Sequence, residues 1–145
     1  MASVQDVAVY ILRKQGRMSA MKLQKLVFYS QAWHLVWEEQ PLFRENFEAW
    51  ANGPVVRELY REHRRQFEVT AKTFASGDPS RLSKVEKETI DAVLNSYGKL
   101  KAFELSEMTH REAPWRDARA GVPSGAACTN VITKAAMAEY YESLL

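Results

Sequence analysis

Residues 19–37 read Ser-Ala-Met-Lys-Leu-Gln-Lys-Leu-Val-Phe-Tyr-Ser-Gln-Ala-Trp-His-Leu-Val-Trp, and this stretch decides the fold class. Leu23, Leu26, Val27, Ser30, Trp33, His34 and Trp37 recur at helical spacing and share one side. Ser19 supplies an N-cap, and Pro41 blocks continuation beyond the last turn. Phe28, Tyr29, Leu35 and Val36 fall elsewhere on the helical wheel, so the helix over 20–37 is apolar on more than one side. Such a helix lies at the centre of its bundle with neighbours on several faces. The chain is therefore read as mainly α and built around this segment.

Upstream, Val4, Val7, Ala8, Ile11 and Leu12 predict an amphipathic helix over 4–15, with Ser3 and Asp6 as a capping box and Gly16 as its stop. Downstream, Phe47, Ala49 and Ala51 alternate within 45–52, a strand pattern. Asn52-Gly53-Pro54 combines a turn with a proline placed to open a helix over 54–65 that turns Val55, Val56, Leu59, Tyr60 and His63 inward. A second strand is predicted over 67–73, pairing with the first across that helix. Ser83-x-x-Glu86 opens a helix over 84–97 that Gly98 ends. A shorter helix is expected over 101–109. Pro114, Gly121, Pro123 and Gly125 make 111–128 a long connection, with one helical turn at Trp115–Arg119. A last helix over 130–143 buries Ile132, Ala136, Met137, Tyr140 and Tyr141. The sum is a compact bundle of about six helices with a small two-stranded antiparallel sheet, in one domain over 1–145.

The whole chain agrees with that reading. Its 145 residues, 46% of them hydrophobic, suffice for one core that needs no metal or disulfide. With 20 Lys+Arg against 18 Asp+Glu, the net charge of +2 excludes a polybasic nucleic-acid binder. A single cysteine, Cys128, excludes an internal disulfide framework and any multi-thiolate zinc site. The N-terminus lacks the basic and apolar regions of a signal peptide, and no apolar run is long enough to span a bilayer. A cytoplasmic protein that does not engage membranes is expected.

No enzyme signature is found. His110-Arg-Glu112 matches the opening of the zinc deaminase signature, but that chemistry also needs a Pro-Cys-x-x-Cys pair. His34, His63 and His110 lie far apart with no carboxylates at metal spacing. Cys128 sits in Gly125-Ala-Ala-Cys-Thr without a base at a recognisable distance along the chain. The expectation is a non-enzyme without cofactor or metal, and an unrecognised enzyme would have to rest on His110, Glu112 and Cys128.

Two features fit partner binding instead. Arg57, Arg61, Arg64 and Arg65 stand at i, i+4, i+7 and i+8, one basic stripe that could be a solvated face, meet an acidic protein or track phosphates. Glu58 and Glu62 interleave with it and offer pairing along the helix. Trp33, Trp37 and Trp50 belong to an aromatic-rich segment that a short loop cannot bury entirely, and tryptophan is enriched in interface hot spots.

Three ordered blocks carry a family resemblance. Met18-Ser-Ala-Met-Lys-Leu-Gln-Lys-Leu-Val-Phe-Tyr-Ser-Gln-Ala-Trp33 resembles the opening helix motif of the SocA-like antitoxins, the Panacea domain. Leu42-Phe-x-Glu-x-Phe-x-Ala-Trp-x-x-Gly-Pro-Val-Val56 followed by Leu59-Tyr60 is similar to its second motif. Leu105-Ser-x-x-Thr-His110-x-x-x-Pro-Trp115 with Ala118-Arg119 is similar to its third. The resemblance implies a small helical protein of bacteria and their phages, encoded beside a toxin that it neutralises by direct binding. Some relatives pass the toxin to a protease. Others carry an added DNA-binding region, for which this chain has no spare length, so DNA autoregulation is not expected. Lys22, Leu23, Gln24, Lys25, Gly53, Pro54, Thr109, His110, Pro114 and Trp115 are the motif residues. Each also has a structural role available. Leu23 belongs to the core, Lys22, Gln24 and Lys25 can hydrogen-bond across the bundle, Gly53-Pro54 sets a helix entry, and Trp115 after Pro114 plugs the long connection.

Overall fold

The computed structural model describes residues 1–145. In chain order the elements are α1 (Val4–Gln15), β1 (Met18–Ser19), α2 (Ala20–Glu38), β2 (Phe47–Trp50), β3 (Gly53–Val56), α3 (Arg57–His63) and β4 (Glu68–Val69). Two short 3₁₀ turns follow, then α4 (Lys84–Tyr97), α5 (Ala102–Arg111), α6 (Ala113–Ala118), β5 (Val131–Ile132) and α7 (Lys134–Glu142). Seven helices thus stand where about six were expected, because the single turn foreseen in the long connection is a helix of its own.

Helix α2 is the centre. Every residue from Leu23 to Ala32 is buried, and α1, α4, α5 and α7 pack around it. The Ser19 hydroxyl accepts from Lys22 N–H at its start, which satisfies one of the free donors of the first turn. The expected capping boxes form at Ser3/Asp6 and Ser83/Glu86. Asp6 does more than cap. Fully buried, it also accepts from Asp78 N–H at 2.8 Å and from Arg81 at 3.4 Å, so it anchors the loop before α4.

The sheets differ from expectation. Residues 47–50 form the middle strand of a three-stranded antiparallel sheet ordered β3-β2-β5. Within it Phe47 faces Val56 on one side and Ile132 on the other. Residues 68–69 instead pair with Met18–Ser19 in a separate two-stranded sheet. Gly53-Pro54 is consequently a strand and not a helix entry, and Ile132 lies in β5 and not in the last helix. Pro54 is tolerated because β3 is an edge strand, where a missing N–H on the outer side breaks no ladder. The pattern was ambiguous here because Pro-Val-Val before an amphipathic run satisfies a helix start and an edge strand alike.

Polar groups fasten the C-terminal half. Tyr29 and Tyr141 both donate to Glu112 Oε1, at 2.6 and 2.7 Å, which ties α2 and α7 to the junction of α5 and α6. Burial raises the Glu112 carboxyl above its ordinary range even though both hydroxyls favour its charged form. Around this point Phe28 meets Phe47, Tyr29 and Tyr141 edge to face, with ring centroids 5.1, 5.5 and 6.2 Å away.

Phe28 is 1% exposed and bridges the helices to the sheet. Phe28→Ala is expected to lower the unfolding free energy by about 3–5 kcal/mol, measured as a reduced urea midpoint with an unchanged slope.

Candidate functional site

The outer edge of β3 is covered by side chains of α2. Gln24 Oε1 accepts from Val56 N–H at 2.9 Å, and Gln24 Nε2 donates to Val56 carbonyl oxygen at 3.2 Å. One amide side chain thus stands in for a neighbouring strand. Because that bond fixes the amide orientation, Nε2 is a donor, and His63 Nε2 at 3.0 Å must accept from it. His63 is therefore neutral with its proton on Nδ1, and burial lowers its pKa further. The next residue, Lys25, is 0% exposed. Its Nζ donates to Pro54 carbonyl oxygen at 3.2 Å and lies 3.3 Å from Met21 Sδ, with no carboxylate beside it. Burial without a counter-charge pulls its pKa down to about 7.

Gly53 is required at this point. Its φ is +123°, and a Cβ would sit 2.5 Å from Lys25 Cε and 3.1 Å from Thr109 Oγ1. The hairpin tip therefore rests directly on the lysine stem and on α5. Helix α5 holds the tip from the other side, where Ser106 Oγ donates to Asn52 carbonyl oxygen, and from α6 Trp115 Nε1 donates to Trp50 carbonyl oxygen at 2.8 Å. His110 stacks on Trp115 with centroids 4.1 Å apart and planes 13° apart. Its Nε2 is the one buried side-chain nitrogen or oxygen in the molecule without a hydrogen-bond partner. Arg119 is buried beneath, giving its guanidinium to the carbonyls of Ala49, Pro123 and Ala126 and lying 5.1 Å from the Trp115 ring centre.

These contacts bring parts of all three sequence blocks to the walls of one cleft of about 660 Å³. Met21 and Gln24 come from the first block, Trp50, Val55 and Tyr60 from the second, and Ser106 and His110 from the third. The far wall is made by His63 and the loop Arg64–Phe67. Sequence reasoning missed Phe67 and Phe103 on this cleft. Phe103 could have been found, because it lies on the opposite side of its helix from the buried Leu105.

The remaining expected positions are distributed. Lys22 donates to Gly98 carbonyl oxygen at 2.7 Å, at the C-terminal end of α4, where a cation suits the negative end of the helix. Thr109 Oγ1 bonds Ser106 carbonyl oxygen within its own helix, and Pro114 is buried at the start of α6. Trp33 bonds Tyr97 and stacks on Trp37, which is 44% exposed, whereas Trp50 packs on Tyr60 in the cleft. The basic stripe does not extend as a helix face. Helix α3 ends at His63, and Arg64 and Arg65 leave it, the latter with φ +71°. Arg57 is held by Glu48 at 2.8 Å, and Glu62 accepts from Gln5 instead of pairing along α3. His34 bonds Thr89, Cys128 is a buried free thiol, and no three His, Cys, Asp or Glu side chains are placed to hold a metal ion. No helix is long and apolar enough to cross a membrane.

The architecture is that of a small helical domain whose sequence blocks meet around a recess, with the recess walls set by a clamped hairpin. The family model described as Antitoxin SocA-like, Panacea domain, matches residues 23–116, and the chain belongs to that family. Comparison with curated proteins and with solved structures gives no match.

The clamp carries a pH signature. Above pH 7 the folded chain holds Lys25 neutral while the unfolded chain stays protonated up to its ordinary pKa near ~10.4. Stability therefore rises with pH across that window, by up to about 1.4 kcal/mol per unit. His63 acts in the same direction lower down: its depressed pKa costs stability as pH falls below ~6.5. Thermal unfolding from pH 5 to 9 is expected to show both rises, and Lys25→Met to remove the upper one alone.

Proposed function

We propose that residues 1–145 act as one protein-binding unit that neutralises a partner toxin by direct contact, without catalysing a reaction. Membership of the SocA-like antitoxin family carries this reading. It is supported by the way the three sequence blocks line one recess around the β2–β3 hairpin. Within the proposal the toxin is the product of an adjacent gene, on a bacterial or prophage genome, and both proteins act in the cytoplasm. Handing the bound toxin to a protease is the variant of the mechanism that the family likeness adds. A nucleic-acid regulator built on Arg57, Arg61, Arg64 and Arg65 has weaker support, since Arg57 is engaged by Glu48 and Arg64 and Arg65 lie beyond the helix that carries Arg57 and Arg61.

Co-expression with the neighbouring gene product is expected to restore growth and to yield a co-purifying complex. If the toxin is also delivered to a protease, its level falls on co-expression and recovers when the major cytoplasmic proteases are deleted. Absence of both rescue and complex overturns the proposal.

A further inference from the structure

The phenylalanines are divided sharply between core and surface. Phe28, Phe43, Phe47 and Phe74 are 0–1% exposed, whereas Phe67 and Phe103 are 81% and 72% exposed, and both line the same cleft. Phe67 stands on fixed backbone, since its carbonyl accepts from Ala20 N–H at 2.9 Å, and Phe103 rises from the first turn of α5. Between them the walls are Ala20, Met21, Val55, Tyr60 and Ala102. An aqueous recess flanked by two solvent-facing aromatic rings leaves apolar area uncovered that a partner can remove from water.

The charge around this recess is also uneven. Arg64 and Arg65 line it and enter no ion pair, while Glu107 is its single carboxylate. Its other polar lining groups are uncharged, and burial keeps His63 and His110 on the neutral side. Arg57, Arg81 and Arg119 are occupied, by Glu48, Asp6 and backbone carbonyls, whereas Arg13, Arg17, Arg44, Arg61 and Arg111 also enter no ion pair but do not line the recess. The turn that follows α3 is what brings the two free guanidinium groups to the recess, and it does so at the expense of a left-handed Arg65. Finally, His110 of the same wall stacks on Trp115, with its Nε2 buried and without a hydrogen-bond partner.

Resting on the reading that this chain binds a partner toxin, we propose the part of that toxin it holds. The cleft between α2, the β2–β3 hairpin, the Arg64–Phe67 loop and α5 receives an extended toxin segment carrying a large apolar side chain beside a carboxylate. The apolar side chain lies between Phe67 and Phe103, and the carboxylate meets Arg64 and Arg65. Two arginines beside a carboxylate and two aromatic rings suit a peptide better than a nucleic-acid backbone, which calls for a longer cationic track.

The test uses short random peptides displayed on phage and selected on the immobilised full chain. Enrichment of Asp or Glu next to Phe, Trp or Leu is expected. Fluorescence anisotropy of a selected peptide should weaken about tenfold or more with Phe103→Asp, and likewise with Phe67→Asp on the opposite rim. Arg64→Glu with Arg65→Glu should turn the preference toward basic peptides. All these positions are exposed, so melting temperatures near that of the parent chain are expected, and the two rim variants guard against loss of either fold. Selection of no motif or of basic peptides, or selected-peptide binding indifferent to both rim variants, overturns the inference. So does self-association that Phe103→Asp abolishes, which would give the cleft to a second copy, and so does single-stranded DNA displacing the peptide. In co-expression, toxin rescue by the parent chain that both rim variants retain leaves the antitoxin reading intact and removes this one. Failure of the parent chain itself to rescue counts against the antitoxin reading, while the peptide measurements still decide what the cleft holds.

Discussion

A helix buried on all sides cannot send its polar side chains to water, so each must find a partner inside the protein. In α2 those residues are Gln24, Lys25, Ser30, Gln31 and His34. Their partners are mostly pieces of chain that lack a regular neighbour. Gln24 completes the bare edge of β3. Gln31 does the equivalent for the segment before β2, accepting from Leu42 N–H at 2.7 Å and donating to Phe43 carbonyl oxygen at 2.8 Å. Two glutamine amides, two turns apart, thus take the place of backbone and hold an irregular segment against the core. Removing either would strand buried peptide groups at a cost of about 1–3 kcal/mol each. The central helix is therefore both core and template.

The recess inherits its shape from this arrangement. With β3 held by Gln24 and Lys25, the hairpin tip at Asn52-Gly53 is fixed, and α5 docks on it through Ser106. Trp115 and Arg119 then lock the base of the hairpin from below. Little of this is charge pairing. The buried side chains of Lys25 and Arg119 donate to carbonyl oxygens, whose orientation is dictated by strand and loop geometry. That makes the walls rigid, while the aromatic rim residues Phe67 and Phe103 remain in solvent.

Periodicity and capping were sufficient for α1, α2 and α4, whose limits follow the predicted ones to within a residue. They were insufficient where stability comes from distant partners. Gly53–Val56 becomes a strand because Phe47–Trp50 and Gln24 pair with it, and neither partner is visible in four residues of sequence. Val131–Ile132 is a strand for the same reason. The motif residues were individually readable as structural, and Lys22, Gln24 and Lys25 do hydrogen-bond across the bundle. That Gln24 and His110 share one recess with Trp50, Tyr60 and the Arg64–Phe67 loop was not readable, since it depends on a left-handed Arg65 and on the docking of α5. Arg64 and Arg65 illustrate the difficulty: the spacing that suggested a helical stripe holds only while the helix lasts, and α3 stops at His63.

The β2–β5 pairing sets when this protein comes into being during its own synthesis. Phe47 is synthesised well before its strand neighbour Ile132 and the Tyr141 that shares Glu112 with Tyr29. Until then the middle strand has a bare edge, and the central helix lacks the cover of α7. Local helices form quickly, but a closure that joins such distant segments waits for translation to reach it. A chain stalled or cut before residue 131 thus carries every residue of the recess and lacks the strand and helix that seal the opposite side. Integrity of the recess is in this way coupled to completion of the last helix.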